Sequence, residues 1–124
     1  MTEDAENSPM QEAAPHDAVR DVDVRGAAAM SEEGVLVLDV REPDEWAAGH
    51  MAGAVHIPLG DLDPTTVPDG SPIVVVCRSG NRSSKAAVGL QESGRDVFNM
   101  AGGMKAWQQA GLPVLTDAGE PGTV

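Results

Sequence analysis

Three features of this sequence predict a single α/β domain with a mostly parallel central sheet and helices on both faces. The runs VLVLDV at 35–40, AVHI at 54–57 and IVVV at 73–76 are apolar and β-branched without a polar alternate face, as strands covered on both sides are. Stretches of helical spacing lie between them, the alternation that builds parallel sheets. A length of 124 residues suits one core.

The elements follow in order. Residues 1–17 are polar and acidic, with Pro9 and Pro15, and read as a disordered tail. Ala18 to Val22 reads as a short extended piece leading to Asp23, an N-cap for a helix through Ala27, Ala28, Ala29 and Met30 that Gly34 ends. The strand at 35–40 closes on Arg41 and Glu42. Pro43 then opens a helix through Asp44, Glu45, Trp46 and Ala47, with Gly49 as its stop. The strand at 54–57 ends at Pro58, and Pro68-Asp69-Gly70 is turn chemistry. After the strand at 73–76, a helix from Arg82 to Ser93 carries Ala86, Ala87 and Leu90 on one face and stops at Gly94. Asp96 to Met100 is the last strand, and Gly103 to Ala110, with Trp107, the last helix. The domain thus occupies 18–115, and 116–124 reads as a flexible tail.

Composition narrows the function. The net charge is −12, and more than half of that excess lies in the two presumed tails, where it serves solubility. An acidic chain with one Phe, two Trp and no Tyr is a poor nucleic-acid binder and must build its core from aliphatic side chains. The N-terminus lacks a signal-peptide pattern, and no apolar run approaches the roughly 20 residues of a membrane span. A single cysteine forms no internal disulfide, so the expected setting is the cytoplasm. His16, His50 and His56 show no metal-site spacing with it.

That cysteine, Cys77, sits where the IVVV strand ends, and Arg78, Ser79, Gly80, Asn81 and Arg82 lead into a helix. Gly80 permits a backbone conformation other residues avoid, so successive N–H groups can curl around a small anion. The helix N-terminus, Arg78 and Arg82 add positive charge. All of these favour thiolate over thiol, and the expected Cys77 pKa lies below the free-cysteine value of about 8.5. Arg82 has two readings at this point, an oxyanion contact or a pair with a local acid. Trp46 and Trp107 are read as core anchors, and His50 and His56 as turn or packing residues.

The loop resembles that of the rhodanese family of sulfurtransferases in its single-domain form, Cys followed by four residues and a sixth position that is often basic. Further blocks are similar to family patterns: Leu38-Asp39-Val40-Arg41-Glu42, Glu45-Trp46, Gly49-His50-Met51, Gly53 to Pro58, Gly102-Gly103 with Trp107, and Gly111-Leu112-Pro113. His56 stands where the family commonly has Asn. The resemblance implies that Cys77 attacks the sulfane sulfur of a small anionic donor such as thiosulfate and passes it from a persulfide to a thiol or cyanide acceptor. It also implies that residues 78–82 hold the persulfide, with no metal or organic cofactor. Asp39, at the end of the neighbouring strand, is expected to brace the loop with Arg41 rather than act in acid–base chemistry.

Two alternatives stay open. One is a carrier that relays sulfur to a protein partner. The other is a phosphatase or arsenate reductase, although those loops place five residues between Cys and Arg, and here the fifth-spaced position is Ser83.

Overall fold

Among the described residues the chain forms five short strands: β1 (Arg20–Val22), β2 (Leu36–Asp39), β3 (Val55–His56), β4 (Ile73–Val76) and β5 (Val97–Met100). Between them lie α1 (Val24–Glu32), α2 (Pro43–Ala48), α3 (Asn81–Glu92) and α4 (Gly103–Gln109). These elements come from a computed structural model that describes residues 19–124. The acidic segment 1–17 lies outside the described residues.

The strands join one sheet in the order β1-β5-β4-β2-β3, and every pairing is parallel. This is the α/β architecture the sequence predicts. Its physical basis is β4, whose four side chains Ile73, Val74, Val75 and Val76 are all fully buried. Burying each is worth about 1.5–3 kcal/mol, so the strand with the most apolar sequence takes the centre.

The two-residue pleat sorts the core into two layers. Leu38, Val40, Ile73, Val75, Cys77 and Val97 face Ala86, Ala87 and Leu90 of α3. Val37, Val74, Val76 and Met100 face Ala27 of α1 and Met104 and Trp107 of α4. Trp107 is the core anchor expected, with its indole N–H donating to the Pro113 carbonyl at 2.8 Å.

Local signals fix the ends. The Asp23 carboxylate accepts the Gly26 N–H at 2.7 Å and caps α1. Glu45 accepts the Glu42 N–H at 3.0 Å at the start of α2. Two single turns of 3-10 helix, Leu59–Asp61 and Pro64–Thr66, were not expected from sequence. The segment at 116–124, read from sequence as a tail, carries backbone hydrogen bonds: Gly122 N–H to Val114 at 2.8 Å and Thr123 N–H to Ala48 at 2.9 Å.

From β2 the chain steps outward to β3 and then crosses to β4 on the other side of β2. Parallel sheets open a crevice at such a switch, outside the carboxyl ends of the strands. Asp39 pairs in register with Val76, so the residues after β2 and β4 meet at that edge.

Candidate active site

Cys77 is the first residue beyond β4, and its pleat position turns its side chain toward α3. Gly80, with φ 103° and ψ −9°, supplies the left-handed step that lets the chain reverse into α3 within three residues. No side chain caps this helix. Its unpaired N-terminal amides therefore need another acceptor, and the sulfur of Cys77 takes that place.

The Gly80 N–H donates to Cys77 Sγ at 3.0 Å, and the Ser83 hydroxyl lies 3.3 Å from the same sulfur. Cys77 has no exposed surface. Burial pushes its thiol up, but the Ser83 hydroxyl and the N–H groups of Ser83, Gly80 and Ser79 outweigh it, and the net pKa lies below that of an ordinary cysteine. The sequence anticipates the direction of this shift. The amides expected from the sequence are among its main causes, joined by the Ser83 hydroxyl, and the two arginines are not.

A clamp from α4 holds the first two peptides of the loop. The Met104 N–H donates to the Cys77 carbonyl at 2.8 Å and the Lys105 N–H to the Arg78 carbonyl at 2.9 Å. In a trans peptide the C=O and the following N–H point opposite ways, so carbonyls drawn toward α4 turn the N–H groups of Arg78 and Ser79 away from it, and that of Ser79 is among the amides that favour the thiolate. Gly103 lies against this contact with φ 62°, and a Cβ there would fall 2.4 Å from the Arg78 oxygen and 2.5 Å from the Cys77 oxygen.

The remaining predicted residues divide. Arg78, Ser79 and Asn81 are exposed on the loop, and Gly80 is buried beneath it. Arg82 turns to Glu45 of α2 in a two-pronged pair, 2.7 and 2.9 Å. Of its two sequence readings, the local acid is the one the structure displays. Asp39 and Arg41 are both buried and joined at 2.8–3.0 Å, and Arg41 also donates to the Gly49 carbonyl at 2.7 Å. Their hydrogen bonds therefore hold the exit of α2, and α2 in turn holds Arg82 through Glu45. Trp46 is not a core anchor. It is half-buried, stacked between His50 at 3.5 Å and His56 at 4.7 Å between ring centroids.

The bond to Arg82 opposes a smaller burial effect and brings the Glu45 pKa down from 4.5 to about 2. A depressed carboxylate stabilises the fold fully above its unfolded pKa and loses that contribution as pH falls through the folded one. Glu45→Gln is accordingly expected to cost about 0.2–1 kcal/mol at neutral pH, the range for partly exposed pairs. Urea melts should show the gap to wild type narrowing below pH 4.5 and closing near pH 2; a gap that is independent of pH would contradict this.

Among the described residues, no group of three or more His, Cys, Asp or Glu is placed to hold a metal ion, and no helix is long and apolar enough to cross a membrane.

Comparison with known proteins places this geometry. The model of the rhodanese-like domain matches residues 23–110. The chain belongs to the rhodanese-like domain family. It is 35% identical over 105 residues to the thiosulfate sulfurtransferase GlpE of Pseudomonas fluorescens, covering 77% of this chain and 89% of that protein. It is 38% identical over 80 residues to the putative sulfur carrier protein YrkF of Bacillus subtilis, covering 62% of this chain and 43% of that one. The chain spans about half the length of some of the curated relatives it matches, YrkF among them. The crystal structure of a rhodanese-related protein from Thermoplasma volcanium superposes with a TM-score of 0.74 at 29% identity, covering 79% of this chain and 99% of that one.

Within this rhodanese-like frame, the sequence reading gave no role to four polar residues linked to the loop: Ser83 at the sulfur, Asn99 against Ser83, Asp21 beyond Asn99, and Glu45 on Arg82. Ser83 had a signal, since a hydroxyl six residues after Cys77 faces back to it from the first turn of α3. Asn99, Asp21 and Glu45 meet their partners through strand and helix packing alone.

Proposed function

We propose that this domain is a sulfurtransferase that moves a sulfane sulfur from a donor such as thiosulfate to a thiol or cyanide acceptor through a Cys77 persulfide. The observation that carries this reading is the convergence of the Gly80 N–H and the Ser83 hydroxyl on one sulfur whose pKa is depressed. In the first half-reaction the Cys77 thiolate attacks the outer sulfur of thiosulfate. A sulfur–sulfur bond forms to Cys77, the bond to the sulfonate sulfur breaks, and its electron pair leaves with sulfite. The negative charge then sits on the terminal sulfur of the persulfide, where inward N–H groups stabilise it as an oxyanion hole stabilises oxygen. In the second, cyanide or a thiolate takes that sulfur and Cys77 leaves as thiolate, so the kinetics are ping-pong. No metal or organic cofactor enters either step.

Cys77 is fully buried, so the donor reaches it through a small outward movement of the loop. Exposed Arg78 is placed to meet the sulfonate end, whereas Arg82 is engaged by Glu45. Similarity to a protein named as a sulfur carrier supports a second reading, in which a partner protein's thiol is the acceptor. A reducing cytoplasm is the setting that keeps such a thiol available. The phosphatase reading has less support, because Arg82 is turned away from the loop's interior toward α2.

The test is intact-mass analysis after thiosulfate treatment together with thiocyanate production. A gain of one sulfur atom that cyanide removes is the expected result. Absence of the gain, with turnover of an aryl phosphate instead, rejects sulfur transfer. A gain that cyanide leaves in place while a partner thiol removes it identifies the carrier.

A further inference from the structure

Asn99 lies on β5, paired in register with Asp21 of β1 and Val75 of β4, and is nearly fully buried. A primary amide in the middle of a parallel sheet needs partners for both of its ends. Its nitrogen donates to the carboxylate of Asp21, exposed on the edge strand, at 3.1 Å. A carboxylate only accepts, so this contact fixes which way the amide faces. The Asn99 oxygen is thereby aimed at the Ser83 hydroxyl, 2.5 Å away, and the hydroxyl must donate to it. The same hydroxyl lies 3.3 Å from Cys77 Sγ and has a single proton.

We propose that Asn99 is a positioning residue that controls the reactivity of Cys77 by competing with its sulfur for the Ser83 proton. While Cys77 is a thiol, its S–H donates to Ser83 and the hydroxyl donates to Asn99, and the chain is satisfied throughout. When the thiol proton leaves to water, the thiolate can only accept. The hydroxyl then turns to it and leaves the buried Asn99 oxygen without a donor. When sulfur is transferred to Cys77, the charge moves out to the terminal sulfur, Sγ becomes neutral, and the hydroxyl returns to Asn99. The competition therefore disfavours the resting thiolate relative to both the thiol and the persulfide. It keeps the sulfur strongly nucleophilic and biases the domain toward its loaded form.

The role in turnover rests on the sulfur-transfer reading, whereas the titration behaviour does not. The charges around this chain are Asp21 on β1, Arg78 in the loop, Arg82 on α3 with Glu45 on α2, and Asp39 at the end of β2 paired with Arg41. Substituting Asn99 removes one hydrogen bond from Asp21, which is exposed to water, and leaves the others untouched.

With one cysteine and no tyrosine in the chain, ultraviolet absorbance of the thiolate during a pH titration of the full protein reports Cys77 alone. Ser83→Ala is expected to raise the midpoint, since the thiolate loses a donor. Asn99→Leu is expected to lower it by about one pH unit, a tenfold gain in thiolate at a given pH, because the thiolate gains sole use of the hydroxyl. In the Ser83→Ala background, Asn99→Leu should leave the midpoint where Ser83→Ala alone puts it. Asn99→Ala serves the same purpose should the leucine variant fail to fold. A purely structural role for Asn99 moves no midpoint downward. An unchanged or raised midpoint in the Asn99 variants, or a fall that persists without Ser83, overturns the proposal. A titration that behaves as stated in a protein that acquires no sulfur from thiosulfate would reject the sulfur-transfer reading and leave this coupling standing.

Discussion

Cys77→Ala is expected to abolish sulfur transfer while the protein remains folded. No other thiol exists in the 124 residues to carry a persulfide. The sulfur is fully buried in the layer beneath α3, so its deletion removes one heavy atom from a packed site, at a cost of about 1 kcal/mol by analogy with the loss of a single core methyl. That leaves a folded domain whose thiocyanate production falls to the uncatalysed background. The check pairs the cyanide assay with a urea melt of the same preparation. Activity that survives the substitution would remove Cys77 from the chemistry altogether.

Gly103→Ala is expected to do the opposite, striking stability first and activity as a result. Alanine at φ 62° carries the left-handed backbone penalty of about 1–2 kcal/mol. Its Cβ would also stand 2.4–2.5 Å from the Arg78 and Cys77 carbonyl groups, atoms of backbone that cannot rotate aside. Relief requires α4 to back away from the loop, which breaks the Met104 and Lys105 hydrogen bonds and releases the peptide plane that carries the Ser79 N–H. The combined loss should exceed about 3 kcal/mol, the range of strained and overpacked sites. A urea melt measures that loss, and the Cys77 midpoint of any folded remainder should rise. Gly89→Ala supplies the contrast. Gly89 lies within α3 with nothing inside 4 Å of a new Cβ, and alanine there should stabilise by about 0.5–1 kcal/mol. Equal melts for the two alanine variants would mean that the clamp carries no strain.

What the sequence made legible follows from how local the signals are. The sheet could be read because β4 and its neighbours are apolar on both faces and alternate with stretches of helical spacing, the combination that a covered parallel sheet produces. The loop could be read because Cys77, Gly80 and the start of α3 fall within five residues, where backbone geometry follows from residue type. Arg82 could not be settled, since its partner is 37 positions away on α2. Asn99 and Ser83 meet across 16 positions, and Asn99 and Asp21 across 78. Such contacts depend on strand order and register, which composition and spacing leave undetermined. Trp46 misled for a related reason: its size suggested the core, but two imidazoles cover its faces near the surface.

The loop around Cys77 also selects by girth. A reactant must present a slender end to come within bonding distance of a sulfur that has no outward surface, and the terminal atom of thiosulfate is one atom wide. A bulky disulfide such as oxidised glutathione meets the loop long before it meets the thiol. The domain should therefore resist mixed-disulfide capping, seen as an unchanged mass after incubation, under conditions where it accepts sulfur readily.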